Sequence, residues 1–406
     1  MSTRPQRWWG VTLFAAAFLM VTMGVRQSLG LFVSPMNTTT GLGIVTISLA
    51  LGIGQFVWGA VQPVAGAFAD RFGPARVLAT GIVVLVIGMA LTPLATSGVA
   101  LVLTLGVLAA AGSGAGSFSV LIGAAAQRAP AESRGTASGV INAGGSFGQF
   151  VFAPVAQKLI AGLGWMGAMW ALALITLATL PVARALRGRS AQTGAAAAPG
   201  DRGLRHAVAT ALSDRSYLLL HLGFFTCGFH IAFLVTHLPG EVDLCGLPSA
   251  VASWSLAIIG LANIAGSLIT GWCVNRYRSK YILFWMYFSR AVLLVAYLFA
   301  PKTALTFYLF ATGLGLTWLA TVPPTAGVVA KLFGTRYLAT LFGLTLLSHQ
   351  IGGFFGAYLG GIAVSVQGNY LWMWYADALL ALAAALVNLP IQEAPVRRAP
   401  AVTASS

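Results

Sequence analysis

The sequence predicts an all-α membrane protein whose twelve transmembrane helices form two pseudo-symmetric bundles of six. Only 8% of its 406 residues are charged and 58% are hydrophobic, whereas a soluble domain carries about 25% charged residues. Apolar runs long enough to cross a bilayer, about 20 residues each, follow one another along the whole chain. Two motifs of the first half return in the second half, which indicates duplication of a six-helix unit.

A hydropathy window of about 19 residues predicts the individual spans. In the first half they lie at 9-33, 44-68, 77-95, 99-124, 136-160 and 165-185. In the second half they lie at 217-238, 250-273, 281-300, 304-329, 339-364 and 370-389. The first run follows Arg4 and Arg7 and lacks a small-residue cleavage site, so it is expected to remain as a span rather than to be removed as a signal peptide.

Lysine and arginine are concentrated in alternate connections, and this pattern predicts the orientation. Nineteen of the 23 Lys and Arg residues are on the cytoplasmic side if the N-terminus is cytoplasmic. They are Arg4, Arg7, Arg71, Arg76, Arg128, Arg134, Arg184, Arg187, Arg189, Arg202, Arg205, Arg215, Arg276, Arg278, Lys280, Lys331, Arg336, Arg397 and Arg398. Only Lys158 and Lys302 lie in the opposite connections. The positive-inside rule therefore predicts two cytoplasmic termini, and it explains the net charge of +15 without nucleic-acid binding.

The only long polar stretch runs from about Arg187 to Arg215, between the sixth and seventh spans. It predicts an N-terminal bundle at 1-185, a cytoplasmic linker at 186-216 and a C-terminal bundle at 217-406. This linker is too short to hold a catalytic domain. Neither a catalytic triad nor a cluster with metal-ligand spacing is visible in the sequence, and the three cysteines form no CxxC motif. No enzyme activity, metal or other cofactor is therefore expected.

Two pairs of motifs indicate the internal repeat. Gly66-Ala-Phe-Ala-Asp70-Arg71-Phe-Gly73 follows the second span, and Gly271-Trp-Cys-Val-Asn275-Arg276-Tyr-Arg278 follows the eighth, an offset of 205 residues. GGSFG at 144–148 is echoed by GGFFG at 352–356, an offset of 208 residues. Two echoes at nearly one offset predict two related halves, an arrangement typical of secondary transporters that bind substrate between the halves.

The loop after the second span, Gly66-x-x-x-Asp70-Arg71-x-Gly73-x-x-Arg76, resembles the signature loop of the major facilitator superfamily. With the degenerate copy and the central linker, the likeness covers essentially the whole chain and implies the major facilitator fold. It also implies that Asp70 and the arginines form charge contacts at cytoplasmic helix ends, which favour one of two access states. A loop that only sets the topology is the alternative.

Four further segments resemble one branch of this superfamily. They are GVRQSLGLFVSP in the first span, CGFHIAFLVTHLP in the seventh, TVPPTAGVVAKLFG in the tenth and SHQIGGFFGAYLGG in the eleventh. The likeness is to bacterial members related to monocarboxylate transporters and oxalate/formate exchangers, and it implies a monomer in the bacterial plasma membrane. One departure is that Ala262, Asn263 and Gly266 stand where monocarboxylate transporters often carry an Asp/Arg pair, which argues against lactate-type proton symport specifically.

Arg26 needs an explanation, because a charge near the bilayer centre costs about 2.5–3.5 kcal/mol on insertion scales. It lies about 17 residues, roughly 25 Å, beyond the start of the first span. His230 lies at nearly the equivalent repeat position in the seventh span. Because the resemblance places the first and seventh helices along the cavity, Arg26 and His230 are expected to bind an anionic substrate. The alternative for Arg26 is snorkelling to the outer interface.

Four further polar residues are predicted to contact the substrate. His349 and Gln350 lie near mid-depth in the eleventh span, and Asn142 and Asn263 lie in the fifth and eighth. Histidine changes charge near neutral pH, so His230 or His349 could carry a coupled proton, or either could hydrogen-bond a helix backbone. For the two asparagines, hydrogen bonds between helices are the alternative.

Arg290 in the ninth span and Asp377 in the twelfth come out at similar depths, roughly 14 and 18 Å from the cytoplasmic ends of their helices. The resemblance implies that both helices are peripheral. A structural ion pair between Arg290 and Asp377 is therefore expected. The alternative is that Asp377 carries a coupled proton.

The charge balance inside the membrane favours an anionic substrate. Asp377 is the only acidic residue in a predicted span, whereas an exporter of cationic drugs is expected to place acids on its cavity helices. Arginine binds carboxylates through two parallel hydrogen bonds. The sequence therefore predicts a secondary transporter of small organic anions of the monocarboxylate type, with a proton as the expected co-substrate. Anion exchange of the oxalate/formate type, and efflux of drugs or metabolites by proton antiport, are alternatives.

Overall fold

The computed structural model describes residues 6–126, 128, 130, 134–186, 203–274, 276–334 and 338–394, and all regular secondary structure in these ranges is helical. The first half contains α1 (Gln6–Gln27), α2 (Val33–Thr40), α3 (Ile44–Phe72), α4 (Pro74–Leu91), α5 (Gly98–Leu101), α6 (Ala110–Ala115), α7 (Phe118–Ala126), α8 (Arg134–Leu177) and α9 (Leu180–Ala185). The remainder contains α10 (Gly203–Leu212), α11 (Arg215–Leu244), α12 (Ser249–Val274), α13 (Ser279–Phe299), α14 (Ala304–Thr317), α15 (Val322–Phe333), α16 (Leu338–Gln367) and α17 (Leu371–Asn388).

Ten helical segments of the described residues are long and apolar enough to cross a membrane. They are Trp8–Thr40, Ile44–Gly66, Pro74–Leu94, Gly98–Ile122, Thr136–Ala185, Arg215–Leu244, Ser249–Val274, Ser279–Phe299, Ala304–Phe333 and Leu371–Asn388. The 50-residue segment is interrupted at Gly164, whose φ of 69° and ψ of 171° are not helical, and its two parts correspond to the predicted spans 136-160 and 165-185. α16, 30 residues long, contains the predicted span 339-364 but is not one of the ten. The chain is a multi-pass membrane protein.

Three of the apolar runs are interrupted helices. In the first, a 3-10 turn at Leu29–Phe32 separates α1 from α2. In the fourth, a π-helical segment at Val102–Ala109 lies between α5 and α6. In the tenth, Trp318 has φ −51° and ψ −90°, and a 3-10 turn at Leu319–Thr321 separates α14 from α15. Such breaks persist at membrane depth only where protein groups satisfy the freed backbone.

α3 and α4 meet at Gly73, within the predicted signature loop. Gly73 has φ 87° and ψ 147°, a backbone conformation that is open to glycine and strained for other residues. Pro74 then begins α4, at the position where a missing N–H costs least. A Cβ atom at Gly66 would meet no other residue within 4 Å, and Arg76 is exposed. The side chains of Asp70 and Arg71 lie outside the described residues, so their charge contacts stay a prediction.

The structure adds detail to the predicted linker and shows which helices of the two halves pack together. The interval 186-216 is not wholly irregular, because α10 occupies part of it, while residues 187–202 lie outside the described ranges. α3 packs along α16 and α8 packs along α12, which joins the first half to the second. Within the halves, α1 packs against α8 and α11 packs against α16. These pairs correspond to one another under the internal repeat.

Candidate functional site

Arg26 lies in the last turn of α1, where the first apolar segment is interrupted. A cation suits this position, because the unpaired carbonyls at a helix C-terminus carry partial negative charge. The Ser28 hydroxyl donates to the carbonyl oxygen of Gly24 at 2.8 Å, which satisfies one of these carbonyls. The helix end thus leaves the Arg26 guanidinium available for contacts with other helices.

The Arg26 guanidinium contacts side chains of two other helices. Its Nη2 donates to Gln55 Oε1 on α3 and, at 3.4 Å, to Gln350 Oε1 on α16. The guanidinium carbon lies 4.3 Å from the centre of the Trp58 ring on α3. These contacts point the side chain at neighbouring helices, so the structure does not show snorkelling to an interface. The structure also brings together two of the predicted substrate contacts, Arg26 and Gln350.

Arg26 has no carboxylate partner in the part of the chain that the structure describes. The two salt bridges found there are His230–Asp377 and Lys331–Glu393. The glutamine oxygens and the indole face near Arg26 carry only partial negative charge. A cation in surroundings of low dielectric constant attracts an anion strongly, and the planar guanidinium matches a carboxylate. The electrostatics of this site therefore favour an anionic ligand.

Arg26 borders a small cavity with a volume of about 40 Å³. Its other lining residues are Thr22, Val25, Leu29, Gly30, Leu51, Gly54, Gln55, Leu85, Met89, Leu105, Ala109, Ala110, Ser113, Val235 and Thr236. Most of them are apolar, which leaves the guanidinium and a few polar atoms to orient a ligand. Since one water needs about 10–15 Å³, the cavity admits only a small group. Residues of α1 and α11, the first and seventh predicted spans, both face it.

A second cavity, of about 300 Å³, lies on the other side of Gly30 and Thr236, which line both cavities. Gly30 packs directly against α11, and a Cβ atom at this position would overlap the carbonyl oxygen of Val235. Only glycine allows this approach without movement of one helix. The contact of Gly30 with Val235 and Thr236 thus separates the two cavities.

Gln350 links Arg26 to polar residues inside the second half. Its Nε2 lies 2.9 Å from Nδ1 of His349. The Cys227 thiol of α11 interacts with His349 and lies 3.4 Å from the hydroxyl of Thr321. The predicted residues His349 and Gln350 thus form a bridge between the Arg26 site and the interior of the second half.

Arg290 on α13 does not form the expected ion pair with Asp377. Its Nη2 donates to the carbonyl oxygen of Thr317 at 2.7 Å, and its Nη1 lies 3.5 Å from Cys227 Sγ. The guanidinium carbon is 5.4 Å from the ring centre of Tyr287. The physical reason is the break after Thr317, which leaves carbonyl oxygens without helical donors. Arg290 supplies those donors.

Asp377 on α17 pairs instead with His230 on α11. Oδ2 of Asp377 lies 2.6 Å from Nδ1 of His230, and both side chains are 0% exposed. The ring of Trp318 packs edge-on against His230 at 5.8 Å between centres. His230 does not line the Arg26 cavity, so the expected convergence of His230 and Arg26 on one ligand is not found. A proton-carrying role for either member of the pair stays a prediction.

Asn142 and Asn263 join helices rather than facing the Arg26 cavity. Asn142 Nδ2 on α8 donates to Ser267 Oγ on α12 at 3.1 Å. Asn263 Nδ2 on α12 donates to Ser146 Oγ on α8 at 2.6 Å, and its Oδ1 accepts from the backbone N–H of Leu319 at 2.9 Å. The structure therefore favours the interhelical alternative over the predicted substrate contacts.

Comparison with known proteins identifies the family. The model of the Major Facilitator Superfamily matches residues 12–357 and 246–405. The chain belongs to this superfamily. Similar proteins include monocarboxylate transporter 13 of Rattus norvegicus, 26% identical over 396 residues, which are 95% of this chain and 90% of the relative. The oxalate:formate antiporter of Oxalobacter formigenes is 24% identical over 412 residues, 97% of this chain and 94% of the relative. The transporter YcxA of Bacillus subtilis is 23% identical over 381 residues, which are 91% of this chain and 92% of the relative.

These relatives confirm the branch that the first, seventh, tenth and eleventh spans resemble. All three relatives are named as transporters. The chain is accordingly a transporter of the major facilitator superfamily. Which substrate it carries, and whether a proton moves with it, must be argued from the residues around Arg26.

Sequence reasoning missed Gln55, Trp58 and Cys227 as site residues of this major facilitator protein. Gln55 is an uncharged amide in an apolar run, and such residues also serve as plain hydrogen bonds between helices. Trp58 resembles ordinary packing, and a lone cysteine behaves as a small apolar residue. The one feature of the sequence that could have pointed to these residues is the polar amide of Gln55 in the middle of the second span.

Proposed function

We propose that this chain is a secondary active transporter of small organic anions of the monocarboxylate type, working by alternating access and coupled to protons. The observation that carries the proposal is the Arg26 site. Arg26 has no carboxylate partner in the described ranges, and its cavity is lined by α1, α3, α4 and α6 together with α11. The names of two relatives, a monocarboxylate transporter and an oxalate:formate antiporter, support the same substrate class.

The proposed role of Arg26 is to anchor the carboxylate of the substrate. Gln55 and Gln350 accept hydrogen bonds from the guanidinium through their amide oxygens, and a carboxylate of the substrate would take the place of these weaker acceptors. The small, mostly apolar cavity then selects for short acids. His230, His349 and Asp377 are the candidates for the coupled proton.

The proposed architecture is the twelve-span major facilitator arrangement, with bundles at 1-185 and 217-406 and a linker at 186-216. The repeat-related packing of α1 against α8 and of α11 against α16 supports it. The charge pattern of the connections supports cytoplasmic termini. We place the protein as a monomer in a bacterial plasma membrane.

Exchange of one anion for another is the second candidate function. Arg26 keeps its charge at physiological pH, so one anion can replace another on the same guanidinium without a proton. The oxalate:formate antiporter among the relatives bears the name of such an exchange.

Uptake of labelled formate, lactate, pyruvate and oxalate into proteoliposomes tests both candidates. We expect accumulation of a monocarboxylate when the pH gradient alone is imposed, with protein-free liposomes as the control for passive entry. Uptake that requires anion preloaded inside the vesicles means exchange. If none of the four acids enters in either mode, although the protein is folded and inserted, the proposal of an anion carrier is wrong.

A further inference from the structure

We infer that Gln350 couples anion binding at Arg26 to protonation of His349. This inference rests on the proposed function and assigns its coupled proton to one residue. The three side chains form a continuous bridge, from Arg26 Nη2 to Gln350 Oε1 at 3.4 Å and from Gln350 Nε2 to His349 Nδ1 at 2.9 Å. Gln350 and His349 are buried, with 3% and 5% exposure.

The donors and acceptors of this bridge fix the protonation of His349. A guanidinium offers only donors, so the oxygen of the Gln350 amide must face Arg26. The NH2 group then faces His349, and an NH2 group can only donate. His349 Nδ1 must therefore accept, which means that it carries no proton. As long as Arg26 holds Gln350, His349 is neutral.

A carboxylate on Arg26 removes this constraint. It competes with Gln350 Oε1 for the donors of the guanidinium and has a full negative charge, so it replaces the amide oxygen. The freed amide can turn over, because the terminal torsion of glutamine has a broad, two-fold profile. Its oxygen then faces His349, and Nδ1 can take up one proton from solution and donate it to Gln350. One anion and one proton enter together, with no net change in charge.

Packing holds the stem of Gln350 in place but does not involve the torsion that turns its amide. A Cβ atom at Gly59 on α3 would lie 2.6 Å from Gln350 Cβ, so the Gln350 stem is tightly packed against α3. The torsion that turns the amide lies beyond this contact. Gln350 therefore has the features of a two-position switch on a fixed helix.

The charged and titratable groups near His349 are few. α11 contributes Cys227, which interacts with His349, and α13 contributes Arg290, which contacts Cys227. Arg26 of α1 lies behind Gln350. No carboxylate among the described side chains forms a salt bridge with His349, since Asp377 pairs with His230. The anion on Arg26 is thus the negative charge that compensates a proton on His349.

The pH dependence of anion binding tests the inference. The full-length protein is purified, and the dissociation constant is measured between pH 6 and pH 9 for whichever of formate, lactate and pyruvate gives the largest uptake. Because binding of the two ligands is linked, the dissociation constant is expected to rise with pH, by up to about tenfold per unit, wherever the complex holds a proton on His349 that the anion-free protein lacks. A pH indicator in weak buffer should also report proton uptake when the anion is added.

Two conservative variants remove the switch and leave Arg26 intact. Gln350→Met keeps the length of the side chain without the amide, and His349→Gln keeps hydrogen-bonding ability without a titrating group. Both are expected to bind the anion with a dissociation constant that changes less than about twofold per pH unit, and without proton uptake. His221→Gln is the matched control, since His221 bonds the Ser348 hydroxyl and should keep the wild-type profile.

Other results would overturn the inference in distinguishable ways. A wild-type pH slope in both Gln350→Met and His349→Gln means that the proton binds elsewhere. A slope that disappears in Asp377→Asn, and not in His349→Gln, assigns the proton to the His230–Asp377 pair. If the wild type binds the anion without any pH dependence, the protein is still an anion carrier, but the inferred coupling at His349 is wrong. If the wild type binds none of the three acids, the proposed function fails and this inference fails with it.

Discussion

At the scale of single residues, Arg26 and Arg290 show how the surroundings of an arginine decide its role. Arg290 is 1% exposed, and it donates to backbone carbonyls at the break after α14 and contacts a thiol. Arg26 also lies next to a helix break, but its partners are two amide oxygens and it borders a cavity. Arg290 thus completes the backbone hydrogen bonding of another helix. Arg26 still has the capacity to bind an anionic ligand.

The His230–Asp377 pair gives a prediction about stability. The Nδ1 of His230 and Oδ2 of Asp377 share one hydrogen bond, and an asparagine oxygen can accept the same bond from Nδ1–H of His230. Asp377→Asn is therefore expected to unfold near the wild-type temperature. Asp377→Leu leaves His230 Nδ1–H without its partner, and we expect it to lower stability by about 1–3 kcal/mol. Thermal unfolding of the purified proteins measures this difference. Equal losses in both variants would mean that the negative charge itself is required.

Asn263 offers a test of its corrected role. Its side chain bonds Ser146 and the backbone of Leu319, so Asn263→Leu should leave the buried N–H of Leu319 without a partner, while the Ser146 hydroxyl still donates to the carbonyl oxygen of Asn142. The expected loss of stability is about 1–3 kcal/mol per unsatisfied group. Substrate affinity of the folded fraction should change little. A variant with normal thermal stability and strongly reduced affinity would restore the predicted substrate contact.

At the scale of helices, the sequence predicts where apolar segments lie and fails to predict where they break. Hydropathy reports the length of an apolar run, and eleven of the twelve predicted runs overlap the ten membrane-spanning segments of the structure. The break between α14 and α15 depends on groups from other helices: Arg290 bonds the carbonyl of Thr317, and Asn263 accepts from the N–H of Leu319. A window that moves along one segment contains no information about such partners.

The candidate site was predictable to a similar extent. Arg26 stands out in an apolar run because of its charge, and Gln350 was predicted from its position near mid-depth in the eleventh span. Gln55 has a weaker signal, because amides occur inside spans for structural reasons. The expected pair of Arg290 with Asp377 was wrong because similar depth in the membrane says nothing about which sides of two helices face each other.

The close approach of Gly30 to α11 leads to a prediction at this scale. Gly30→Ala would place a methyl group against the carbonyl of Val235, so the two helices must separate and the barrier between the cavities must open. We expect faster labelling of an introduced Thr236→Cys by a membrane-impermeant maleimide, after subtraction of the labelling of the native cysteines. Gly139→Ala is the matched control, because a Cβ atom there has no neighbour within 4 Å. Unchanged labelling after Gly30→Ala would show that this contact is not the barrier.

At the scale of the whole molecule, the two repeats have come to contain different chemistry. Arg26 of the first repeat borders a cavity, whereas His230, at nearly the equivalent position, is paired with Asp377 inside the second half. The proposed anchoring charge, Arg26, therefore belongs to one half only, while α11 of the other half lines the same cavity and Gln350 contacts the guanidinium. This asymmetry suits a substrate with a single carboxylate.

The measurement that tests the account most directly is the affinity of the purified protein for its best transported acid after substitution of Arg26. Hydrogen bonds to charged groups contribute about 1.5–3 kcal/mol, so Arg26→Ala should weaken binding by about 10- to 150-fold. Arg26→Lys should fall in between, because lysine keeps the charge without the planar fork. Arg184→Ala, which removes an exposed arginine, should bind like the wild type. A folded Arg26→Ala protein with wild-type affinity would contradict the assignment of Arg26 as the anion anchor.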